Sequence, residues 1–199
     1  MTTSTDELVP MLARPPGWRL LRPGDDSVPR LAEDLQRLVP PGRSGREVIA
    51  ETIPTFRALF SSTDLRAVIV PALAQPVPMA VVVRELTCTV AEMDEKIRAA
   101  VAEHGGTGLA ADESILRWAV REDVDTVQVD TYRYLSIRPS SGRTAAALVE
   151  AMVVSAPGAD HVRTGLGEVA DTIASSLAWL SPPDALAVES ALTEGDDDD

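Results

Sequence analysis

The sequence predicts an α+β fold: a mostly antiparallel central sheet of about five to six strands with helices packed on both of its sides, an α/β/α sandwich. Three observations carry this expectation. The chain has 199 residues, enough for one well-buried core but tight for two. Its side chains are 45% hydrophobic and 25% charged, an ordinary globular balance that excludes a wholly disordered chain or a membrane bundle. Its apolar pattern also switches repeatedly between helical stripes and unbroken or alternating runs.

Residues 1–16 are polar and then proline-rich, and read as a flexible leader. A short strand follows at Trp18, Leu20 and Leu21, ended by Pro23 and Gly24. Ser27 can cap a helix with Leu31, Leu35 and Leu38 on one stripe, which Pro40, Pro41 and Gly42 stop. Ser44 and Glu47 then form a capping box for a second helix. Ile49, Ile53, Phe56 and Phe60 continue its apolar face past Pro54, where the missing amide kinks or divides it.

The period now changes. Ala67 to Val70 and Met79 to Val83 are continuous β-branched runs on either side of a proline-rich connection, as expected of central strands covered on both faces. Thr89 and Glu92 repeat the capping-box spacing. Met93, Ile97, Ala100, Val101 and His104 follow at helical spacing until Gly105 and Gly106. After a loop through residue 114, Leu116, Trp118 and Val120 alternate with polar neighbours in a strand from Ile115 to Arg121.

A turn at Asp123 to Asp125 leads into a long hairpin, roughly Thr126 to Arg138 and Arg143 to Ser155, turning at Pro139 to Gly142. In its first arm Val127, Val129, Leu135 and Ile137 share one parity and Tyr132 and Tyr134 the other, so either both faces are covered or a bulge swaps them. Thr164 can cap a last amphipathic helix with Leu166, Val169, Ala170, Ile173, Leu177 and Leu180 on its stripe. Pro182 and Pro183 close it. The domain therefore spans 17–181, and 182–199 forms a short helix or coil with a disordered acidic tail, Asp196 to Asp199.

Eighteen basic and 31 acidic side chains give a net charge of −13, which repels phosphate backbones and anionic headgroups and argues against nucleic acid or membrane as partner. Cys88 is the lone cysteine, so no intrachain disulfide can form. The opening MTTSTDELVPMLARPP lacks the basic end and apolar run of a signal peptide, which points to the cytoplasm. Lys96 is the one lysine and Asn is absent, a bias expected of a high-GC bacterial genome such as an actinobacterial one.

The entry PPGWRLL, the strand pair VIVPALAQPVPMAVVV, the hairpin around VDTYRYLSIRPSSGRTAAALVEAMVVSAP and the closing GLGEVADTIASSLAWL together resemble the PsbP-like α/β/α sandwich, of which LpqN-type lipoproteins and DcrB-like proteins are members. The likeness spans about residues 17–181. It implies a non-enzymatic scaffold for binding other proteins, including adaptor and secretion-chaperone roles, and transfers no catalytic residue. LpqN-type proteins are exported and lipidated, and this chain departs from them in lacking a signal and a lipidation cysteine.

The residues themselves show no catalytic constellation. His104 and His161 stand in no metal-binding spacing, Cys88 in no nucleophile signature, and Asp123, Asp125 and Asp130 lack the spacing of a calcium loop. The glycines at 105, 106 and 108 and at 165 and 167 match neither a P-loop nor a dinucleotide fingerprint. No catalytic, cofactor or metal site is expected, and the protein is read as not an enzyme.

Trp118, Tyr132, Tyr134, Arg133 and Arg138 are the candidate partner-binding residues, because interface hot spots favour Trp, Tyr and Arg. Core packing with arginines at the rim is the competing account. The expected function is a cytoplasmic, non-catalytic protein-binding module, with self-association left open. The alternatives are an immunity or inhibitor protein steered by charge to a basic toxin, or a small-molecule-binding domain.

Overall fold

In a computed structural model of the chain, the structure describes residues 8–24, 29, 53–54, 56–71, 77–108, 115–124, 127–138 and 144–194. The strands are β1 (Val9–Met11), β2 (Trp18–Leu21), β3 (Leu65–Pro71), β4 (Met79–Cys88), β5 (Thr107–Gly108), β6 (Ile115–Val124), β7 (Val127–Arg138), β8 (Thr144–Ser155) and β9 (Ala178–Leu180). The helices are α1 (Val90–His104), α2 (Asp160–Ser175) and α3 (Pro182–Glu194), with further helical backbone at 53–54 and 56–60. The class is α+β, with more strand than helix.

Seven strands form the main sheet in the order β2-β3-β4-β8-β7-β6-β5, every neighbouring pair antiparallel. The last, β5, is a two-residue edge strand. The β7–β8 register runs without a shift from Gln128 opposite Ser155 to Arg138 opposite Ala145. That settles the parity question in the first arm: no bulge intervenes, and both faces carry buried side chains.

Residues opposite one another in a ladder share a face. Tyr132, Tyr134, Val149, Ala151, Val81 and Ile69 occupy the first face, in one buried cluster with Ala170, Ile173 and Ala174 of α2. Trp118, Leu135 and Ala146 occupy the second face, clustered with Met93 of α1. Val68 and Val82 extend that face, and Phe56, Leu59 and Phe60 pack against them with the two phenyl rings 6.3 Å apart.

The capping box of α1 forms as its spacing requires. Thr89 N donates to Glu92 Oε2 at 2.8 Å, Glu92 N donates to Thr89 Oγ1 at 3.3 Å, and Gly105 ends the helix at φ 67°. The helix expected after Ser27, the capping box at Ser44, the hairpin turn at 139–142 and the acidic tail lie outside the described residues.

Three segments differ from their sequence reading. Part of the leader is a strand: β1 pairs with β9 in a separate two-stranded sheet, Val9 opposite Leu180 and Met11 opposite Ala178. Pro10 suggests a break, yet a two-stranded ribbon has an outer edge on which a missing amide breaks no ladder bond. The last long helix starts at Asp160 rather than Thr164. It has no side-chain cap, and the Asp160 carboxylate complements its positive end. It also stops at Ser175 rather than Leu180, because Ser176 Oγ donates to Ile173 O and accepts from Ala13 N, turning the chain toward β1.

Pro182 and Pro183, read as the end of one helix, begin another. Ser181 Oγ accepts from Asp184 N at 3.4 Å as its cap, and proline at the first helical position loses no intrahelical bond. Ala185 of α3 is buried, and the helix touches β1.

Candidate functional site

The structure divides the five sequence-nominated residues between the two faces. Trp118 and Arg133 are cross-strand partners on the second face, whereas Tyr132, Tyr134 and Arg138 belong to the first. All three aromatics are buried, Tyr134 completely. Arg133 Nε donates to Glu150 Oε1 at 3.0 Å. Arg138 lies 5.6 Å from the ring centroid of Trp179, whose Nε1 donates to Ser136 Oγ. The five side chains therefore form no single patch.

On the first face the tyrosines enter a polar network. Arg117 Nε and the Tyr134 hydroxyl both donate to Asp171 Oδ1, at 2.6 and 2.7 Å, while Arg117 also stacks 5.3 Å from the Tyr132 ring. Burial, and then the hydrogen bond to Asp171, push the Tyr134 phenol far above its usual range. Burial opposes the charge of Arg117, but Asp171 outweighs it and raises the guanidinium. Nearby, the buried Asp130 accepts from Arg121 Nε at 2.9 Å. Each member is held by a neighbour within the fold, so the network is a fastening of β6 and β7 to α2.

His104 is half-buried in the last turn of α1, 3.7 Å from Glu103, and His161 is exposed on α2. Cys88 ends β4 and packs against the second-face cluster. Asp123 accepts from Gln128 Nε2, and Asp125 lies outside the described residues. Among the described residues no group of His, Cys, Asp and Glu is arranged to hold a metal, and no helix is long and apolar enough to cross a membrane.

A concave feature lies elsewhere, at the β2–β3 edge of the first face. A cavity of about 340 Å³ opens there. Its floor is Leu20 of β2, Ala67 and Ile69 of β3, and Val83 of β4. Its roof is Val9, Pro10 and Met11 of β1 with Pro182, Ala185 and Leu186 of α3. Arg22 and Arg66 also line it. The small sheet and α3 are what make the site concave, since without them this stretch of floor would be an open sheet face.

The β2–β3 register, Leu20 opposite Ile69 and Leu21 opposite Val68, carries position 22 opposite 67. The two arginines thus sit together at one end of the ladder. A register shift between Leu65 and Ala67 marks the position of Arg66. Its Nε donates to Glu85 Oε2 at 2.6 Å, which fixes the plane of the guanidinium.

Sequence reasoning missed this site. Its arginines are far apart in the chain and join only through strand pairing, and half of its roof comes from a segment whose prolines read as leader and breaker. Comparison of the chain with protein-family models and with curated proteins gave no match.

Proposed function

We propose that the protein is a non-catalytic binding module built as an α/β/α sandwich, and that its ligand is a small molecule held in the cavity between the sheet edge, β1 and α3. The observation that carries this reading is the cavity: about 340 Å³, walled on both sides by aliphatic side chains and furnished with two guanidinium groups. That is the character of a small-ligand site, a mostly apolar pocket with a few placed polar groups. The sandwich layering is supported by the two clusters that bring α2 to one face and Met93 of α1 to the other. It is also the architecture that the resemblance to PsbP-like proteins implies.

A thermal-shift screen against a chemically diverse small-molecule set tests the reading. A ligand present at 100 times its Kd stabilises by about 2.7 kcal/mol. Ligands should raise the midpoint of the native protein and fail on Ala67→Leu, which narrows the cavity. If no compound separates the two proteins, the cavity is not a binding site.

A protein partner is the second reading, favoured by Met152 and Val154. They are neighbours on one side of β8, 37% and 40% exposed, on the second face. Under this reading Met152→Glu with Val154→Glu abolishes binding of a purified partner that Leu186→Glu leaves intact. Equal binding to both variants would remove it.

A further inference from the structure

Resting on the small-molecule reading, we propose that the cavity takes a single-chain aliphatic carboxylate of medium length, its carboxylate on Arg22 and Arg66 and its chain between the β2–β3–β4 floor and the β1–α3 roof.

Three properties of the lining select this chemistry. The first is the absence of an aromatic ring: among the described residues the walls are aliphatic, from Val9 and Met11 to Leu20, Ile69 and Val83. A nucleobase or other planar ring would find no stacking platform there, whereas a methylene chain finds dispersion contacts and dry surface along its length.

The second is the polar inventory. Arginine donates and never accepts, and Arg22 and Arg66 are the polar side chains of the lining among the described residues. A sugar or an amide needs donors and acceptors in alternation, and a cation needs a carboxylate. A chain with 31 acidic side chains places none of them, among the described residues, on the cavity wall. A carboxylate needs donors alone, and an arginine with five N–H donors can take it while keeping another partner. Arg66 is 52% exposed on its side chain and uses Nε for Glu85, so the proposed carboxylate would be taken by its two terminal nitrogens.

The third is the arrangement. Both arginines stand at one end of the β2–β3 ladder, and the remaining lining among the described residues is apolar, so the site is itself amphiphilic. Its size sets the chain length. A cavity of about 150 Å³ holds benzene, so one of 340 Å³ holds about a dozen non-hydrogen atoms, the size of decanoate.

The test is titration of the full chain with decanoate, 1-decanol, decyltrimethylammonium and acetate, below their aggregation concentrations. It is read by calorimetry and by methyl NMR shifts at Ile69, Val83 and Leu186. Decanoate should bind and shift those methyls, while acetate and the cationic amphiphile should not. Arg66→Gln should weaken decanoate about tenfold, the worth of one charged hydrogen-bonding group, and leave decanol unchanged. Arg22→Gln should do the same, and the exposed Arg66 keeps the test open if Arg22→Gln misfolds.

If decanol and decyltrimethylammonium bind as tightly as decanoate, and Arg66→Gln changes none of them, the cavity binds small molecules but not this class. If none of the amphiphiles moves the three methyls and the diverse screen also separates nothing from Ala67→Leu, both the class and the site fall.

Discussion

The Tyr134 hydroxyl donates to Asp171 Oδ1 at 2.7 Å, the same oxygen that takes the Arg117 Nε bond at 2.6 Å, so one carboxylate on α2 fastens two adjacent strands. Tyr134 has no solvent exposure. Removing its hydroxyl costs a hydrogen bond to a charged acceptor, partly offset because Arg117 still pairs with Asp171. Tyr134→Phe should therefore lose about 1–2 kcal/mol in denaturant unfolding. Asp171→Ala should lose more, about 2–4 kcal/mol, because it strands a buried phenol and a half-buried guanidinium together. A smaller loss from Asp171→Ala than from Tyr134→Phe would show that the carboxylate is not the fastening point.

The same phenol gives an alkaline signature. Its folded pKa lies above the ordinary value of 10.0, chiefly through burial and then through Asp171. The native state thus holds the proton after the unfolded chain has released it. Stability from this group is fully present below about pH 10 and falls as pH rises beyond it. Tyr132 adds to the slope, its phenol raised first by burial and then by Asp130. Tyr134→Phe should lose less stability than the native protein between about pH 10 and 11, and parallel curves would show that Tyr134 does not carry the effect.

Two glycines on α2 should respond oppositely to alanine. A Cβ on Gly167 would lie 2.9 Å from the Tyr132 hydroxyl oxygen and 3.0 Å from its Cζ, whereas one on Gly165 meets nothing within 4 Å. The Tyr132 ring is buried and its hydroxyl donates to Arg163 O at 3.3 Å, so it cannot simply swing away. Gly167→Ala should destabilise by about 1–3 kcal/mol through overpacking, although its helix propensity improves. Gly165→Ala should stabilise by up to about 1 kcal/mol. Equal thermal shifts in the two variants would mean that Tyr132 does not constrain the helix approach.

These contacts also show which parts of the molecule are legible in the sequence. Thr89 and Glu92 carry their meaning within three residues, and the β-branched runs of β3 and β4 carry theirs in composition, so α1 and the central strands follow from local pattern. Tyr132 and Tyr134 have the parity opposite to Leu135, and buried side chains on both faces of the strand explain it. The cavity is different in kind. Arg22 and Arg66 come to line one cavity, and Val9 meets Leu180, only after strands distant in sequence have paired. Pro182 and Pro183 read as a stop, and the Ser181 cap with the burial of Ala185 makes them a start instead.

On the second face, Glu150 accepts from Arg133 Nε at 3.0 Å and Arg84 Nε at 3.2 Å, with 17% of its side chain exposed. It links β7 to β4 across β8. Glu150→Ala should cost about 2–4 kcal/mol, because two half-buried cations lose their shared acceptor, while Glu150→Gln should cost less by retaining one carbonyl oxygen. Arg84 keeps a second partner, Asp64, which is itself held below the ordinary carboxylate range by the Ser62 hydroxyl first and by Arg84 as well. Truncating Arg133 should therefore couple more strongly to Glu150 in a double-mutant cycle than truncating Arg84 does, and the reverse order would overturn this account of the network.

Two truncations separate the roof of the cavity from the tail. Stopping after Glu194 removes the glycine and four aspartates, none of which can bury apolar surface, and should leave both the unfolding midpoint and ligand binding unchanged. Stopping after Ser181 removes α3. Ala185, buried against β1, goes with it, as do Pro182 and Leu186 from the cavity wall. This cut should lower stability by about 1–3 kcal/mol and abolish decanoate binding, because the floor remains while the site loses its cover. Ser181→Ala is the milder version: it takes the cap from α3 and should cost about 1 kcal/mol, with weakened rather than absent binding. Decanoate affinity that survived the Ser181 cut would place the ligand elsewhere on the sheet, whatever that cut did to stability.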